Sequence, residues 1–248
     1  MSDEWVQGSV VENVRWTEQL HSLRIEADVA PFTAGQFTRL ALDVDGERVA
    51  RPYSFVNAPD QCPLEFYFIT VPHGPLSQRL YALNKGDSVW VARQAAGHFT
   101  LTNVPSAETL WLLSTGTALG VFLSILRTAE PWERFARVVL VHGVRTPDEQ
   151  AYLEALAAIE GEHPGRFRVV HSVTRAGGGS RPEARITNMI EDGRLEVEAG
   201  ASLDPESCQV MICGRPEMVS DTLHLLEQRG LTKNRSMAPG QVTTEKYW

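Results

Sequence analysis

The sequence predicts an α+β half followed by an α/β half: an antiparallel β-barrel, then a domain built on a parallel sheet. Two textures and the break between them carry this reading. Up to about residue 104, short apolar runs are separated by turn residues, the pattern of many short antiparallel strands. Beyond Asn103-Val104-Pro105-Ser106, strand-like and helix-like runs alternate, which favours a parallel sheet wound by right-handed crossovers. The 248 residues suffice for two ordinary domains, expected at 1–104 and 105–248.

In the first half the turns fall at Ala34-Gly35, Asp45-Gly46, Asn57-Ala58-Pro59-Asp60, His73-Gly74-Pro75 and Lys85-Gly86-Asp87. These residue types tolerate positive φ or preset the turn, and so punctuate the strands. Residues 64–71 are a strand candidate, and a brief helix is expected at 76–83 with Ser77 as its N-cap. In the second half, strands are expected at 109–114, 137–142, 167–173 and 209–213, and helices at 118–129, 148–160, 186–192 and 216–229. Ala176-Gly177-Gly178-Gly179-Ser180 reads as a flexible surface loop. Open parallel sheets bind ligands at the carboxyl ends of their strands, so a site is sought there.

Composition excludes several classes. A formal charge of −8 gives no basic surface of the kind that nucleic acid or an anionic membrane requires. Cys62, Cys208 and Cys213 are an odd set without metal-ligand or iron–sulfur spacing, which points to a reduced, cytoplasmic protein. The histidines show no ligand spacing, and no metal site is expected. The N-terminus is acidic and lacks the apolar stretch of a secretory signal. Residues 110–126 form an uncharged run near the lower limit of a membrane span, but Ser114-Thr115-Gly116-Thr117 divides it into a strand and a helix. A monomer with no membrane or nucleic-acid partner is expected.

Chemistry-bearing groups sit at the ends of these elements. Arg51, in Arg51-Pro52-Tyr53-Ser54, places a guanidinium at a strand end, where it can grip a phosphate through two parallel hydrogen bonds. Gly74-Pro75-Leu76-Ser77 sets a turn and a helix start whose N–H groups suit an anion. Ser114-Thr115-Gly116-Thr117-Ala118-Leu119-Gly120 lies between a strand and a helix, where a dinucleotide pyrophosphate would meet the helix N-terminus. It is not a GxGxxG run.

NAD-selective folds hold the ribose hydroxyls with an acid at the end of the second strand. Here Val141-His142-Gly143-Val144-Arg145 ends in arginine, Thr174-Arg175 follows the third strand, and Arg185 closes the glycine-rich loop. Three guanidiniums near one edge suit a 2′-phosphate and favour NADP over NAD. His142 itself reads as a core strand residue. Cys213 ends the last strand, followed by Gly214, Pro216 and Met218, without a motif for thiol catalysis. The chain closes on Tyr247-Trp248, an apolar pair that must dock to be covered.

Taken in order, Arg51-Pro52-Tyr53-Ser54, Gly74-Pro75-Leu76-Ser77, Ser114-Thr115-Gly116-Thr117, Cys213-Gly214 and Tyr247-Trp248 resemble the motifs of the ferredoxin/flavodoxin–NADP reductase family, in its bacterial branch. The resemblance covers roughly residues 5 to 248. It implies an FAD-binding barrel followed by a Rossmann-like, NADP-binding domain whose C-terminal tail contacts the FAD. By that resemblance Arg51 contacts the FAD pyrophosphate with Pro52 beside it, Tyr53 lies against the isoalloxazine, and Ser54 sits near flavin N5. Pro75, Leu76 and Ser77 line the same pyrophosphate, and Phe66 adds aromatic surface near the flavin. Trp248 stacks on the adenine with Tyr247 beside it, which implies FAD rather than FMN.

On the nicotinamide side the resemblance puts Thr117 in the dinucleotide loop and Val144, Arg145, Thr174, Arg175 and Arg185 around the 2′-phosphate. Cys213, with Gly214, faces the nicotinamide, so Ser54 and Cys213 are the expected catalytic residues. The loop departs from the family's usual pattern, with Ala118 and Val121 where a second glycine and a proline are customary. The implied activity is hydride transfer between NADPH and FAD, and single-electron transfer between the flavin and a ferredoxin or flavodoxin. Such carriers are usually acidic, so docking calls for basic residues; barrel arginines with Lys233, Arg235 and Lys246 are candidates. Other readings share the fold: the reductase component of an oxygenase, a free-flavin reductase, or a non-catalytic binding subunit. Intact Arg51, Ser54 and Cys213 argue against the last.

Overall fold

A computed structural model, described for residues 4–175 and 185–247, divides the chain into two compact units. The first comprises Met1–Thr100 and Gly120–Thr128, the second Leu101–Leu119 and Ala129–Trp248. The glycine-rich loop at 176–180 and Trp248 lie outside the described residues.

The first unit holds strands β1 (Trp5–Arg15), β2 (Leu20–Glu26), β3 (Phe37–Val44), β4 (Glu47–Ser54), β5 (Leu64–Ile69) and β6 (Ser88–Ala92). They pair antiparallel in the order β4-β3-β6-β1-β2-β5. Just past β4, Phe55 bridges to Phe66 of β5, and Val56 N–H donates to Glu65 O at 2.9 Å. These contacts tie the two edge strands at one end, which is how a curled sheet covers its unpaired groups. Leu23, Ile25, Leu40, Phe55, Phe66 and Val91 fill the interior. The Asp45-Gly46 turn joins β3 to β4 with φ of 52° and 86°, the left-handed pair that a two-residue hairpin needs.

Helix α1 (Ser77–Ala82) lies between β5 and β6. Ser77 is its first residue and not its cap; the hydroxyl instead accepts from Val71 N–H at 3.0 Å and closes the preceding turn. Helix α2 (Leu119–Leu126) is bound into this unit from Gly120 onward. Ser124 Oγ donates to Asn57 O at 2.8 Å, and Arg127 donates to Val56 O and to the Glu65 carboxylate, both at 3.0 Å. Arg24 reaches the same carboxylate at 3.4 Å. Glu65 has only 5% of its side chain exposed, so these two guanidiniums are what make its charge tolerable there.

The second unit is a parallel sheet of β7 (Thr109–Thr115), β8 (Arg137–Val144), β9 (Phe167–Val173), β10 (Cys208–Gly214) and β11 (Val242–Lys246), ordered β11-β10-β7-β8-β9. Every pairing is parallel. The chain builds β8 and β9 on one side of β7, then crosses to lay β10 on the other, so the strand order reverses between β7 and β10. One face carries Trp111, Leu113, Val139, Val141, Val170, Val210 and Ile212, packed with residues of α5 (Ile186–Glu191), α6 (Arg194–Ala199) and α7 (Pro216–Gln228). Side chains alternate between faces along a strand, so residues 114, 142 and 213 point to the other face.

Four local differences from the sequence expectation have identifiable causes. The helix expected at 118–129 is split: a 3₁₀ turn at Gly116–Ala118 leads into α2, and Pro131 opens a separate α3 (Glu130–Arg134). The helix expected from 148 begins only as α4 (Leu153–Glu162), because Tyr152 is left-handed at φ 61°. Helix α6, six residues for which the sequence predicts no helix, is bracketed by Gly193 and Gly200, both left-handed. Strand β11 is a polar edge strand, Val-Thr-Thr-Glu-Lys, with no apolar run to announce it. No helix among the described residues is long and apolar enough to cross a membrane.

Candidate functional site

In the first unit the candidate residues lie on the two edge strands, β4 and β5, and in the segment that follows β5. Arg51 and Tyr53, two apart on β4, share a face and pair in register with Leu40 and Thr38. Leu40 and Thr38 are buried, but β4 is the edge strand, so Arg51 remains exposed and Tyr53 half-buried. Among the described residues the Arg51 guanidinium donates only to Ala50 O, at 2.7 Å. Arg24, Arg39, Arg48 and Arg93 of the same unit are each paired with a carboxylate. Arg51 therefore keeps the planar fork that an anion would use.

Tyr53 stands edge-on to Phe68, ring centres 5.9 Å apart. Burial pushes its hydroxyl up to about 12, against the opposing pull of Arg51, so it is a neutral donor. Ser54 is half-buried and pairs with Phe37, and Pro52 is exposed beside Arg51. From Phe68 the chain runs on to the second candidate segment. Gly74 N–H donates to Val71 O at 2.9 Å, and a Cβ on Gly74 would lie 2.8 Å from Ser77 Oγ. Pro75 is exposed, whereas Leu76 and Ser77 are buried. Phe66 is a core residue, with no exposed surface and its ring against Phe55 at 5.4 Å. Its aromatic surface faces the interior of the unit rather than a ligand, since β5 is packed on both faces.

In the second unit the register assembles something the sequence does not display. Glu245, Cys213, Ser114, His142 and His171 stand side by side across all five strands. The row one residue earlier is Thr244, Ile212, Leu113, Val141 and Val170, nearly all apolar. A row of polar and titratable groups at the carboxyl end of an otherwise apolar sheet is not explained by stability.

Four members of the row have a state set by their surroundings. Cys213 is fully buried; burial, and then the neighbouring Glu245, push its thiol well up, so it is a neutral thiol and not a nucleophile. Its side chain is hydrogen-bonded with Tyr247, whose N–H donates to Gly214 O at 2.9 Å. Burial raises Glu245 to about 7, which leaves it half-protonated near neutrality. Ser114 Oγ donates to Val141 O at 2.9 Å. His142 lies 3.1 Å from Gly116 O through Nε2, and burial pushes it down to about 4.

Next to this row lies the point where the strand order reverses, the usual ligand crevice of an open parallel sheet. Gly214 has φ 149°, and a Cβ there would overlap Thr115 Oγ1 and stand 2.8 Å from Met218 Cε. The ends of β7 and β10 thus approach as closely as a missing side chain permits. Thr115 Oγ1 also accepts from Arg215 N–H at 3.3 Å. Gly116, at φ 56°, faces open space, with no atom within 4 Å of a Cβ placed on it. Thr117 is the next residue and is 8% exposed.

The arginines expected at a 2′-phosphate gather at the ends of β8 and β9. Arg175 N–H donates to Arg145 O at 2.6 Å, and Thr174 N–H to Val144 O at 3.1 Å. Val144 is buried and contributes backbone there. Ile186 reaches to 3.2 Å from a Cβ built on Gly143, which brings Arg185, the residue before α5, to the same edge. An unforeseen acid joins them. Glu149 accepts from Arg145 N–H at 2.8 Å and from its Nε at 2.7 Å, and pairs with Nη2. Glu149 and Glu245 are invisible in the sequence as site residues, and Ser114 is legible there only as the start of the loop motif, because spacing alone does not reveal register or the bend after β8.

The fold and these two clusters define a two-unit, nucleotide-dependent oxidoreductase, and comparison with known proteins makes the class specific. A sequence model of the oxidoreductase NAD-binding domain matches residues 112–224. The flavodoxin/ferredoxin–NADP reductase of Escherichia coli (strain K12) is 47% identical over 246 residues, covering 99% of each chain. A ferredoxin NADP+ reductase from Neisseria gonorrhoeae, solved with bound FAD and NADP, matches with a TM-score of 0.92 at 31% identity over 100% of both chains. Amycolatopsis cytochrome P450 reductase GcoB matches at TM-score 0.74 and 25% identity, over 98% of this chain and 69% of that one. The chain belongs to the flavodoxin/ferredoxin–NADP reductase family.

Proposed function

We propose that this protein is an FAD-dependent NADPH reductase serving a one-electron carrier, a ferredoxin or a flavodoxin, with FAD on the barrel unit and NADPH on the parallel-sheet unit. The observation that carries the reading is the crevice at the strand reversal, where Gly214 and Thr115 meet beside the buried row of Cys213, Ser114 and His142. When bound, FAD takes up a hydride from NADPH and passes its electrons singly to the carrier.

The residues divide the remaining work. Arg51, whose fork lacks a carboxylate partner among the described residues, pairs with the FAD pyrophosphate, with Pro52, Pro75 and the backbone of Leu76 and Ser77 around it. Tyr53 and Ser54 meet the isoalloxazine. Cys213 presents a neutral thiol to the nicotinamide and positions it, with Gly214 allowing the close approach. Hydride transfer depends chiefly on orientation, so a protonated, unreactive thiol suits that place. Arg145, Arg175 and Arg185, with the backbone at Val144 and Thr174, hold the 2′-phosphate. Thr117 lines the dinucleotide loop. The three cysteines are free, in keeping with a reducing cytoplasmic setting, and a monomer is the working unit.

The test is NADPH-driven reduction of purified ferredoxin and of purified flavodoxin, with free FMN as the competing acceptor. Carrier reduction at low carrier concentration, outpacing FMN, is the expected result. Faster reduction of free FMN than of either carrier would favour the free-flavin reductase reading instead.

A further inference from the structure

His142 is a poor choice for its position unless it does something. Its neighbours on β8 are Val138, Val139, Leu140, Val141 and Val144, all buried. The imidazole is itself 0% exposed, and Nδ1 has no partner among the described residues. A valine would fill this strand without burying a polar ring or leaving an acceptor unmet.

The bond it does make is specific. Nε2 lies 3.1 Å from Gly116 O, and a carbonyl only accepts, so the ring carries its proton on Nε2. Gly116 O also accepts from Leu119 N–H, so two donors hold that oxygen. In a trans peptide the carbonyl and the following N–H point in opposite directions. With Gly116 O turned toward His142, the Thr117 N–H is turned away from β8. Gly116 is left-handed at φ 56° and has no Cβ to fix its ψ, so without the Nε2–H its following peptide is held by the Leu119 N–H alone. A rotated peptide would aim its oxygen where the N–H had been and repel an anion.

We propose that His142 is a positioning residue for NADP, locking the 116–117 peptide so that Thr117 N–H is directed at the dinucleotide pyrophosphate. This rests on the NADPH reading above. It predicts that the residue acts on the pyrophosphate alone and through its Nε2–H alone.

Calorimetric titration of the FAD-loaded enzyme with oxidised NADP and, separately, with 2′-AMP tests it. The fragment keeps the 2′-phosphate and lacks the pyrophosphate. In H142L, NADP binding should weaken about tenfold, the loss of one hydrogen bond to a charged group, while 2′-AMP stays within about twofold. H142Q, whose amide N–H reaches where Nε2–H was, should restore NADP binding. H142N, whose shorter amide stands where Nδ1 was, should behave like H142L and serves in its place if that variant fails to fold. Equal weakening of NADP and 2′-AMP, unchanged NADP binding, or failure of H142Q to restore it would overturn the proposal. A wild-type enzyme that binds neither ligand would instead remove the NADPH reading itself.

Discussion

Replacing Arg145 and Arg175 together by alanine should erase most of the preference for NADPH over NADH. The two residues are joined through their backbones at the ends of β8 and β9, so both guanidiniums issue from one edge. Arg145 has 46% of its side chain exposed, and Glu149 already occupies the Nε edge of its fork. Each therefore contributes at the low end for a charge-assisted hydrogen bond, about 1.5 kcal/mol. The pair sums to about 3 kcal/mol, roughly a 150-fold fall in kcat/KM for NADPH. NADH lacks the 2′-phosphate and should change by less than about threefold on the same scale. Steady-state kinetics with both donors at fixed ionic strength measure this. Raising the salt should shrink the wild-type preference, because exposed charges are screened. Equal losses with the two donors would refute the assignment of this edge to the 2′-phosphate.

Three further outcomes follow from the geometry. Arg51→Ala should weaken FAD binding by about 2 kcal/mol, some thirtyfold, measured by fluorescence titration of the apoprotein with FAD; retention at wild-type affinity would show that the arginine is a surface residue. Arg127→Leu should destabilise the first unit by about 3 kcal/mol in urea unfolding, since Glu65 loses the closer of its two guanidiniums while staying buried; a loss below about 1 kcal/mol would match a merely superficial pair. Glu245→Gln should alter the pH dependence of stability. The folded pKa of Glu245, about 7, lies above its ordinary 4.5, so its stabilisation is complete below pH 4.5 and is lost as pH rises through 7. The melting temperature of Glu245→Gln should accordingly gain on wild type across that window, by about 5 °C for an effect on the order of 2 kcal/mol after allowing for partial exposure. A constant difference from pH 4.5 to 8 would contradict the raised value.

Periodicity and turn chemistry reveal most of the architecture, because both act locally. Asp45-Gly46 announces its hairpin by residue type, and the apolar runs at 109–114 and 167–173 announce buried strands. Strand β11 escapes, since Val242–Lys246 is polar and stabilised by its pairing with β10 rather than by its own pattern. Tyr152 interrupts a good helical pattern through a left-handed φ that tyrosine rarely signals. The site divides in the same way. Cys213 and the arginines after β8 and β9 lie at or just past element ends, where the sequence points to them, whereas Arg51, expected at a strand end, sits within β4 with three paired residues after it. Glu245 acquires meaning only through register with Cys213, and Glu149 only through the bend that returns it to Arg145; Ser114 is visible as part of its loop motif, but its place beside Cys213 is not. His142 looks like a core residue because it is one; its bond to Gly116 belongs to the tertiary structure.

The visible absorption spectrum of the purified protein, taken anaerobically before and after NADPH and in parallel with NADH, tests the central claim most directly. Flavin bands that bleach promptly with NADPH and much more slowly with NADH would establish cofactor, donor and reaction together. A protein that stays colourless after incubation with FAD, or whose flavin bleaches equally fast with both donors, would contradict it.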